Sequence, residues 1–287
     1  MRVLIIGGTG LLGAELKQVW QGDDQVLCVG CPEIDIRDPQ GTRRLVWDFG
    51  PAWIVLAAAY TDVDGCEKDQ ATAYEINAAG AGTVARLARE FGSRLMYIST
   101  DYVFDGTSPA PYQPEDPINP LGIYGLTKAA GELAVRTFVS DACIVRTAWL
   151  FGRGGKCFPD TILRLAESRT ELSVVADQRG CPTYNRHLAA AISRLVKAGA
   201  KGILHVTNRG NCTWYELACE LLRLAGRSDV KVRPIITEEL NRAAPRPKFS
   251  VLSDGQLHGY GVEMPSWQEA LAEYVYDTKP ACAGTFR

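Results

Sequence analysis

Short apolar runs alternate with amphipathic stretches through the first half of the chain. The run RVLIIG (2–7) is continuous and rich in β-branched residues, whereas LLGAELKQVWQG (11–22) repeats its apolar residues at helical spacing. The same alternation continues with predicted strands at QVLCVG (25–30), AWIVLAAA (52–59), SRLMYIST (93–100) and CIVRTAWLFG (143–152). Helices are predicted between them, over 42–50, over 71–92 and from about residue 124 onward. Apolar strands that alternate with helices are typical of a doubly wound parallel sheet.

The alternation loosens after Gly152, where strand signals become sparse and the proline-rich stretch RAAPRPKFSVLSD appears. We therefore predict an α/β fold with a Rossmann-like NAD(P)-binding domain over 1–152 and a smaller C-terminal lobe over 153–287 that mainly binds substrate. Two later segments, 172–177 and 202–207, have the pattern of strands and are candidates for returning to the main sheet.

The composition restricts the classes of function. The chain has 287 residues, of which 46% are hydrophobic and 22% charged, and its formal net charge is -2. These values are ordinary for a protein with a sizeable core and indicate no basic surface for nucleic acid or for an anionic membrane. Glycines interrupt the apolar start MRVLIIGGTGLLG and the charged residues Glu15 and Lys17 follow it, and no later segment reaches the ~18 apolar residues of a membrane span. We therefore expect a cytoplasmic protein that acts on a small molecule.

The cysteines and histidines lack the spacing of a metal site or a disulfide framework. The nine cysteines stand at 28, 31, 66, 143, 157, 181, 212, 219 and 282. Cys28 and Cys31 form a CxxC without a second pair or a nearby histidine motif, so we interpret them as buried, inert thiols. His187, His205 and His258 are dispersed, and His205 is interpreted as a core residue with satisfied hydrogen bonds. No metal is predicted.

A glycine turn follows the first predicted strand directly and opens the first helix. Gly7, Gly10 and Gly13 form G-x-x-G-x-x-G, which lets a cofactor pyrophosphate approach the free N–H groups of the helix N-terminus. An acidic residue near the end of the second strand binds the ribose of NAD in such folds, but CVGCPEID offers neither an obvious acid nor an arginine at its tip. The choice between NADPH and NADH therefore stays open. Asp35 is either a residue beneath the adenine or a turn or helix-cap aspartate.

A tyrosine and a lysine stand four residues apart in IYGLTKAAGE, so Tyr124 and Lys128 share one face of the predicted helix. Thr100 ends the fourth predicted strand, and the carboxyl ends of parallel strands meet at one edge of the sheet. Tyr124 is the candidate proton donor for a carbonyl oxygen, with Thr100 as a hydrogen-bond partner. Lys128 is expected to lower the pKa of Tyr124 and to hold the nicotinamide ribose.

The sequence resembles the extended short-chain dehydrogenase/reductase family, and within it most closely the dTDP-4-dehydrorhamnose reductases. The supporting strings are GGTGLLG, AAAYTDVDGCEKD, EINAAG, YISTDYVFDG, PINPLGIYGLTKAAGE, VRTAWLFG, VVADQRGCPTY, GILHVTNRGNCTWYELA and PRPKFSVLS. This resemblance implies reduction of the C4 keto group of a nucleotide-linked 4-keto-6-deoxy sugar, with dTDP-4-dehydro-L-rhamnose giving dTDP-L-rhamnose. NADPH or NADH is the implied cofactor.

The resemblance also implies a set of site residues. The implied catalytic residues are Thr100, Tyr124 and Lys128. The implied cofactor-binding residues include the last two of these and Gly7, Gly10, Leu11, Leu12, Gly13, Asp35, Ile36, Ala59, Tyr60, Thr61 and Asn77. The implied substrate-binding residues are Thr100, Asp101, Val103, Phe104, Tyr124, Trp149 and Arg246, where Val103 and Phe104 would be apolar walls. Arg246 is equally well interpreted as a surface arginine.

Other functions on the same fold remain alternatives. One is another nucleotide-sugar 4-ketoreductase or an epimerase; a 4,6-dehydratase is disfavoured because Thr100 is followed by Asp101 and Tyr102 rather than by Asp-Glu. Another is a non-catalytic regulatory subunit, because the beta subunit of methionine adenosyltransferase resembles these reductases. A homodimer is possible, and Glu15 matches one position of a metal-bridged dimer, although no acidic partners accompany it.

Overall fold

The computed structural model describes residues 1–20 and 24–278. The strands are β1 (Arg2–Ile6), β2 (Gln25–Val29), β3 (Trp53–Leu56), β4 (Arg94–Thr100), β5 (Cys143–Thr147), β6 (Leu150–Phe151), β7 (Glu171–Val175), β8 (Arg179–Gly180), β9 (Thr183–Tyr184), β10 (Gly202–His205), β11 (Cys212–Thr213) and β12 (Lys231–Ile235). The α-helices are α1 (Leu11–Val19), α2 (Pro39–Phe49), α3 (Val63–Lys68), α4 (Gln70–Tyr74), α5 (Ala81–Glu90), α6 (Ile123–Phe138), α7 (Phe158–Ala166), α8 (Asn185–Lys197), α9 (Trp214–Leu224) and α10 (Trp267–Thr278). A π-helix spans Glu75–Gly80, and short 3-10 helices span Asp101–Val103, Thr237–Leu240 and Leu257–Tyr260.

Six parallel strands form the central sheet in the order β10-β5-β4-β3-β1-β2. This arrangement confirms the predicted doubly wound α/β fold. Because β2 lies on one side of β1 and β3 on the other, the strand order reverses at β1, and open α/β sheets bind ligands at such a switch point.

Helices cover both faces of the sheet. Successive side chains of a strand point to opposite faces, and here both sets of side chains are apolar. Val3 and Ile5 join one core cluster with residues of α1 and α8, whereas Leu4 and Ile6 join the opposite cluster with residues of α2, α5 and α6. All four side chains are fully buried. Apolar packing therefore encloses the sheet on both faces.

Two predicted elements are interrupted in the structure. The predicted strand over 143–152 divides into β5 and β6, because Trp149 has a left-handed backbone (φ 47°) and β6 pairs with β9 instead of continuing in the sheet. The predicted helix over 71–92 divides into α4, the π-helix and α5. Single-turn π segments are frequent at functional sites, and this one carries Asn77.

The second half of the chain contributes to both parts of the molecule. The segment 202–207 supplies β10, which pairs with β5 at the edge of the main sheet, whereas 172–177 supplies most of β7, which pairs with β12 in a separate ribbon. Helix α8 packs on the main sheet, and α7, α9 and α10 share a second core with β7. We therefore propose that the cofactor-binding unit combines residues 1–152 with α8 and β10. In the described residues, no helix has the length and apolar character that crossing a bilayer requires.

Candidate active site

A cavity of about 580 Å³ lies at the carboxyl ends of the parallel strands. It extends from the glycine turn and the segment after β2 to the ends of β4 and β5, where Tyr124, Lys128 and Trp149 line it. A neighbouring hollow of about 410 Å³ shares Thr100, Asp101 and Trp149 and continues towards α7 and α9. Ligand pockets of proteins commonly enclose 300–1,000 Å³, so this volume suits an organic cofactor and the reacting part of a second molecule.

The glycine turn is packed so closely against the neighbouring backbone that its glycines leave no room for side chains. A Cβ on Gly7 would collide with the backbone of Ala58, and Gly7 has φ 108°, which favours glycine. A Cβ on Gly13 would collide with the backbone of Gly7 and Gly8. Gly10 precedes α1 without a side-chain cap, so the first-turn N–H groups of the helix remain available to an anion. Leu11 and Leu12 line the same end of the cavity.

Thr100 and Asp101 stand where β4 ends, at the junction of the two hollows. The Thr100 hydroxyl donates a hydrogen bond to Asp101 Oδ1 at 3.0 Å and accepts one from the Tyr102 backbone N–H at 3.2 Å. Asp101 is 2% exposed, and its Oδ2 has no hydrogen-bond partner within residues 1–20 and 24–278. Burial raises the pKa of Asp101 to about 6. Asp101 therefore brings a buried carboxyl oxygen without a partner to the wall of both hollows.

Lys128 lies one helical turn after Tyr124 and is almost completely buried. Its Nζ donates to the Ile98 carbonyl at 2.7 Å and lies 4.0 Å from the centre of the Tyr97 ring. Burial lowers the pKa of Lys128 from 10.5 to about 7, against a smaller raising effect of Glu132. This lysine is therefore only partly protonated near neutral pH in the free protein.

The pKa of Tyr124 differs from the sequence-based expectation. Burial raises it above the ordinary value, and the nearby Thr100 hydroxyl offsets only part of this effect. The expected lowering by Lys128 does not appear in the free protein, because burial penalises the phenolate and also weakens the charge of the lysine itself. Tyr124 consequently keeps its proton at neutral pH, as a proton donor must.

The side-chain amide of Asn77, behind the cavity, connects three elements of the site. Asn77 Oδ1 accepts from the Tyr60 backbone N–H at 2.8 Å, and Asn77 Nδ2 donates to the Tyr60 carbonyl and to Thr127 Oγ1, each at 3.1 Å. Tyr97 donates from its hydroxyl to the Asn77 backbone carbonyl at 3.0 Å. Asn77 is 1% exposed and does not line the cavity. We therefore propose that it holds the loop after β3 against α6 and does not contact the cofactor.

Trp149 is held between a glycine and a second tryptophan. Its ring stacks on Trp214 with centroids 3.5 Å apart and planes inclined by 5°. A Cβ on Gly180 would lie only 2.5 Å from the Trp149 ring, so the space beneath is open only to glycine. Trp214 Nε1 donates to Gln178 Oε1 at 3.1 Å. The left-handed backbone of Trp149 and this stacking together direct its indole into both hollows.

The structure brings together most of the residues that the sequence singled out, but not all. Gly7, Gly10, Leu11, Leu12, Gly13, Asp35, Ile36, Ala59, Thr61, Thr100, Asp101, Tyr124, Lys128 and Trp149 all line the cavity. Tyr60 and Asn77 do not. Val103 and Phe104 are fully buried in a core cluster behind the site, where Phe104 stacks on Tyr112, so they do not form the expected walls.

Arg246 lines neither hollow, and a carboxylate engages its guanidinium. Its Nη2 and Nη1 donate to Asp64 Oδ2 and Oδ1 at 2.9 and 3.2 Å. The hydrogen bond from Arg246 lowers the pKa of Asp64 to about 2. Arg246 therefore fastens the C-terminal segment to α3 and is not a surface arginine, since its side chain is 16% exposed; a role in substrate binding stays a prediction.

Several lining residues escaped sequence reasoning, among them Lys156, Phe158 and Trp214. Lys156 lines both hollows, and Phe158 and Trp214 line the second. The segment GRGGK after β6 is a glycine-rich turn that could have indicated Lys156. Trp214 carried no local signal, because only the packing of α9 against Trp149 places it there.

The described histidines and cysteines form no cluster that could hold a metal ion. His205 is buried, as expected, but neither ring nitrogen has a hydrogen-bond partner in the part of the chain that is described. Burial and the Arg146 guanidinium lower its pKa to about 3, so it stays neutral. Of the CxxC pair, Cys31 is exposed rather than buried. Cys282 lies outside the described residues, and among those that are described no cluster of three metal-ligating side chains occurs.

Lys128→Met should change how stability depends on pH. The folded protein holds the Lys128 pKa near 7, below the 10.5 of the unfolded chain, so between these pH values the unfolded chain binds more protons. The free energy of unfolding of the wild type should therefore rise relative to that of Lys128→Met, by on the order of 1–3 kcal/mol from about pH 7 to about pH 10. Urea denaturation at several pH values measures this. Lys201→Met, at an exposed position, should show no such rise, and parallel curves for wild type and Lys128→Met would contradict the assignment.

Comparisons with known proteins identify relatives over nearly the full length. A family model described as the RmlD substrate binding domain matches residues 1–279. The spore coat polysaccharide biosynthesis protein SpsK of Bacillus subtilis is 39% identical, covering 98% of this chain and 99% of its own. The dTDP-4-dehydrorhamnose reductase of Streptomyces griseus is 39% identical, with 95% of this chain and 92% of its own covered. The crystal structure of dTDP-4-dehydrorhamnose reductase from Bacillus anthracis, in complex with NADP, is 39% identical, covers 97% of this chain and 99% of its own, and has a TM-score of 0.92.

Proposed function

Because the chain belongs to the family of the RmlD substrate binding domain, we propose that it reduces the C4 keto group of dTDP-4-dehydro-L-rhamnose to give dTDP-L-rhamnose. NADPH or NADH is its reductant. The observation that carries the proposal is the single cavity in which the glycine turn, Thr100, Tyr124 and Lys128 meet. A nicotinamide dinucleotide and a ketone can therefore be bound side by side.

The dinucleotide would be held by the backbone of the glycine turn and by Lys128, and when bound it supplies a hydride to C4. Tyr124 donates its proton to the C4 oxygen, so the carbonyl becomes a hydroxyl. The raised pKa of Tyr124 ensures that this proton is present before the reaction. A protonated Lys128 on the same helix face stabilises the phenolate that forms.

The remaining side chains orient the sugar. Thr100 can donate its hydroxyl hydrogen to the C4 oxygen, once substrate replaces its bond to Asp101. Asp101 Oδ2 accepts a sugar hydroxyl, because a buried carboxyl oxygen without a partner is costly to leave unpaired. Trp149 offers an apolar face for the sugar ring or its C6 methyl group.

Turnover by the isolated protein tests the proposal. We expect oxidation of NADH or NADPH, followed by its absorbance, when dTDP-4-dehydro-L-rhamnose is supplied, and NMR should identify dTDP-L-rhamnose. The diastereomeric dTDP-4-keto-6-deoxy-D-glucose is the comparison substrate and should react more slowly. Cofactor binding without turnover of either sugar would overturn the proposal in favour of a non-catalytic subunit. Faster turnover of the D-glucose derivative would assign a different ketoreductase.

A further inference from the structure

The helix that carries Tyr124 begins after a glycine, which has no side chain with which to cap it. Helix α6 starts at Ile123 and follows Gly122, and its first turn contains no acidic residue. The first N–H groups of a helix have no partner within the helix, so they need one from another element or from water. Tyr124 is the second residue of α6 and lines both hollows. The place of its ring therefore depends on how the first turn is held.

A glutamate of another helix caps this first turn. Glu67 Oε1, near the end of α3, accepts a hydrogen bond from the Ile123 backbone N–H at 2.7 Å. A carboxylate at the N-terminus of a helix is favoured both by the charged hydrogen bond and by the helix dipole. A Cβ on Gly122 would lie 2.7 Å from the same oxygen and 3.3 Å from Pro245 Cδ. The glycine thus leaves the room that the carboxylate occupies.

The backbone on the other side of Tyr124 is fixed as well. The Tyr124 carbonyl accepts a hydrogen bond from Thr127 Oγ1 at 3.0 Å, and Thr127 is itself buried and bonded to Asn77. Gly125 packs on the preceding segment so closely that a Cβ there would collide with the Tyr102 carbonyl oxygen. Tyr124 therefore lies between a turn held by Glu67 and a turn held by Asn77.

Helix α3 is a firm support for Glu67 because a second acid fastens it to the C-terminal segment. Asp64 precedes Glu67 by three residues, so the two carboxylates share one helix face. Asp64 accepts hydrogen bonds from the Ala244 backbone N–H at 3.1 Å and from Arg246 Nη2 at 2.9 Å. Cys66, between them in the chain, is fully buried. One face of α3 thus joins the C-terminal segment to the start of α6.

We propose that Glu67 is a positioning residue for proton donation, which sets the first turn of α6 and with it the place of the Tyr124 hydroxyl. The inference rests on the proposed function, because it takes Tyr124 to protonate the C4 oxygen. Glu67 lines neither hollow of the described structure, so it acts through Tyr124 and not on the substrate. Proton transfer requires the hydroxyl within hydrogen-bond reach of the carbonyl oxygen, and a displacement of about 1 Å can cost roughly 10²-fold in rate.

Two substitutions of Glu67 separate the lost hydrogen bond from other effects. Glu67→Ala should lower kcat by roughly 5- to 50-fold, while the KM of dTDP-4-dehydro-L-rhamnose and the Kd of the dinucleotide change by less than about 3-fold. Glu67→Gln keeps an acceptor oxygen for the Ile123 N–H and should retain more than about a third of the wild-type kcat. Steady-state kinetics and calorimetric titration of the cofactor measure these effects.

The matched control is Glu269→Ala at the start of α10. Glu269 Oε2 accepts a hydrogen bond from the Ser266 backbone N–H at 2.8 Å, so the same substitution removes a comparable bond at another helix N-terminus. Glu269 lines neither described hollow. This variant should keep the wild-type kcat even where its melting temperature falls.

Hydrogen exchange followed by mass spectrometry over 120–128 tests the anchoring without turnover. The amides at the start of α6 should exchange at least roughly 10-fold faster in Glu67→Ala and at nearly the wild-type rate in Glu67→Gln. Unchanged exchange in Glu67→Ala overturns the inference. A kcat of Glu67→Ala within about twofold of wild type, or a Glu67→Gln variant as slow as Glu67→Ala, also overturns it. If the wild type reduces no sugar, the proposed function fails, and the exchange rates still decide whether Glu67 holds the start of α6.

Discussion

Tyr124→Phe should lower kcat by roughly 10²- to 10⁴-fold, because it removes the hydroxyl that donates a proton to the carbonyl oxygen. The ring itself remains, and its edge contact with Tyr102, at a centroid distance of 5.7 Å, does not depend on the hydroxyl. The variant should therefore fold normally and bind the dinucleotide with nearly unchanged Kd. Steady-state kinetics with dTDP-4-dehydro-L-rhamnose and calorimetric titration of the cofactor measure the two effects separately.

The matched control is Tyr276→Phe, since Tyr276 is 80% exposed on α10. It should keep wild-type kcat and KM. If Tyr124→Phe retained more than about a tenth of the wild-type kcat, proton donation by Tyr124 would be excluded. A loss of activity accompanied by a lower melting temperature would point instead to a structural role for the hydroxyl.

Arg146→Met should cost about 3–5 kcal/mol of stability, because it leaves a buried carboxylate without its partner. Arg146 and Glu132 are joined by two hydrogen bonds, Nε to Oε1 at 2.9 Å and Nη2 to Oε2 at 2.7 Å. Both side chains are less than 5% exposed. Ser99 also donates to Glu132 Oε1, at 2.6 Å, so the pair connects β4, β5 and the helix that carries Tyr124 and Lys128.

Arg44→Met is the control for this substitution. Arg44 pairs with Asp48 at 3.8 Å on the exposed face of α2, and losing such a pair should cost less than about 1 kcal/mol. Equilibrium urea denaturation of wild type, Arg146→Met and Arg44→Met provides the comparison. The double variant Arg146→Met/Glu132→Gln should recover part of the loss, because no unpaired charge then remains buried. Similar free energies for the two single arginine variants would contradict the argument.

Local patterns predicted most of the fold correctly. The turn formed by Gly7, Gly10 and Gly13 lies between β1 and α1, and α2 ends at Gly50, whose left-handed φ of 57° suits a glycine. The predicted strand over 143–152 was wrong at Trp149, because the strand preference of its neighbours gave no indication of a left-handed residue. Packing between Gly180 and Trp214, both distant along the chain, stabilises that conformation.

The candidate site was only partly accessible from the sequence. Tyr124 and Lys128 share a helix face because four residues make about one turn, and this needs no tertiary information. Val103 and Phe104 belong to the same motif as Thr100, yet the 3-10 turn after β4 directs them into the core. Membership in a motif therefore did not decide which side chains face the cavity.

The sequence by itself determined the alternation of strands and helices, the glycine turn and the pairing of Tyr124 with Lys128, because each depends on residues within one or two turns of backbone. The tertiary structure alone decided the surroundings of those residues. It placed Trp214 on Trp149, and it buried Lys128 deeply enough to lower its pKa to about 7. Burial and charge depend on groups that are remote in the chain, so they become defined only when the sheet, its helices and the second lobe pack together.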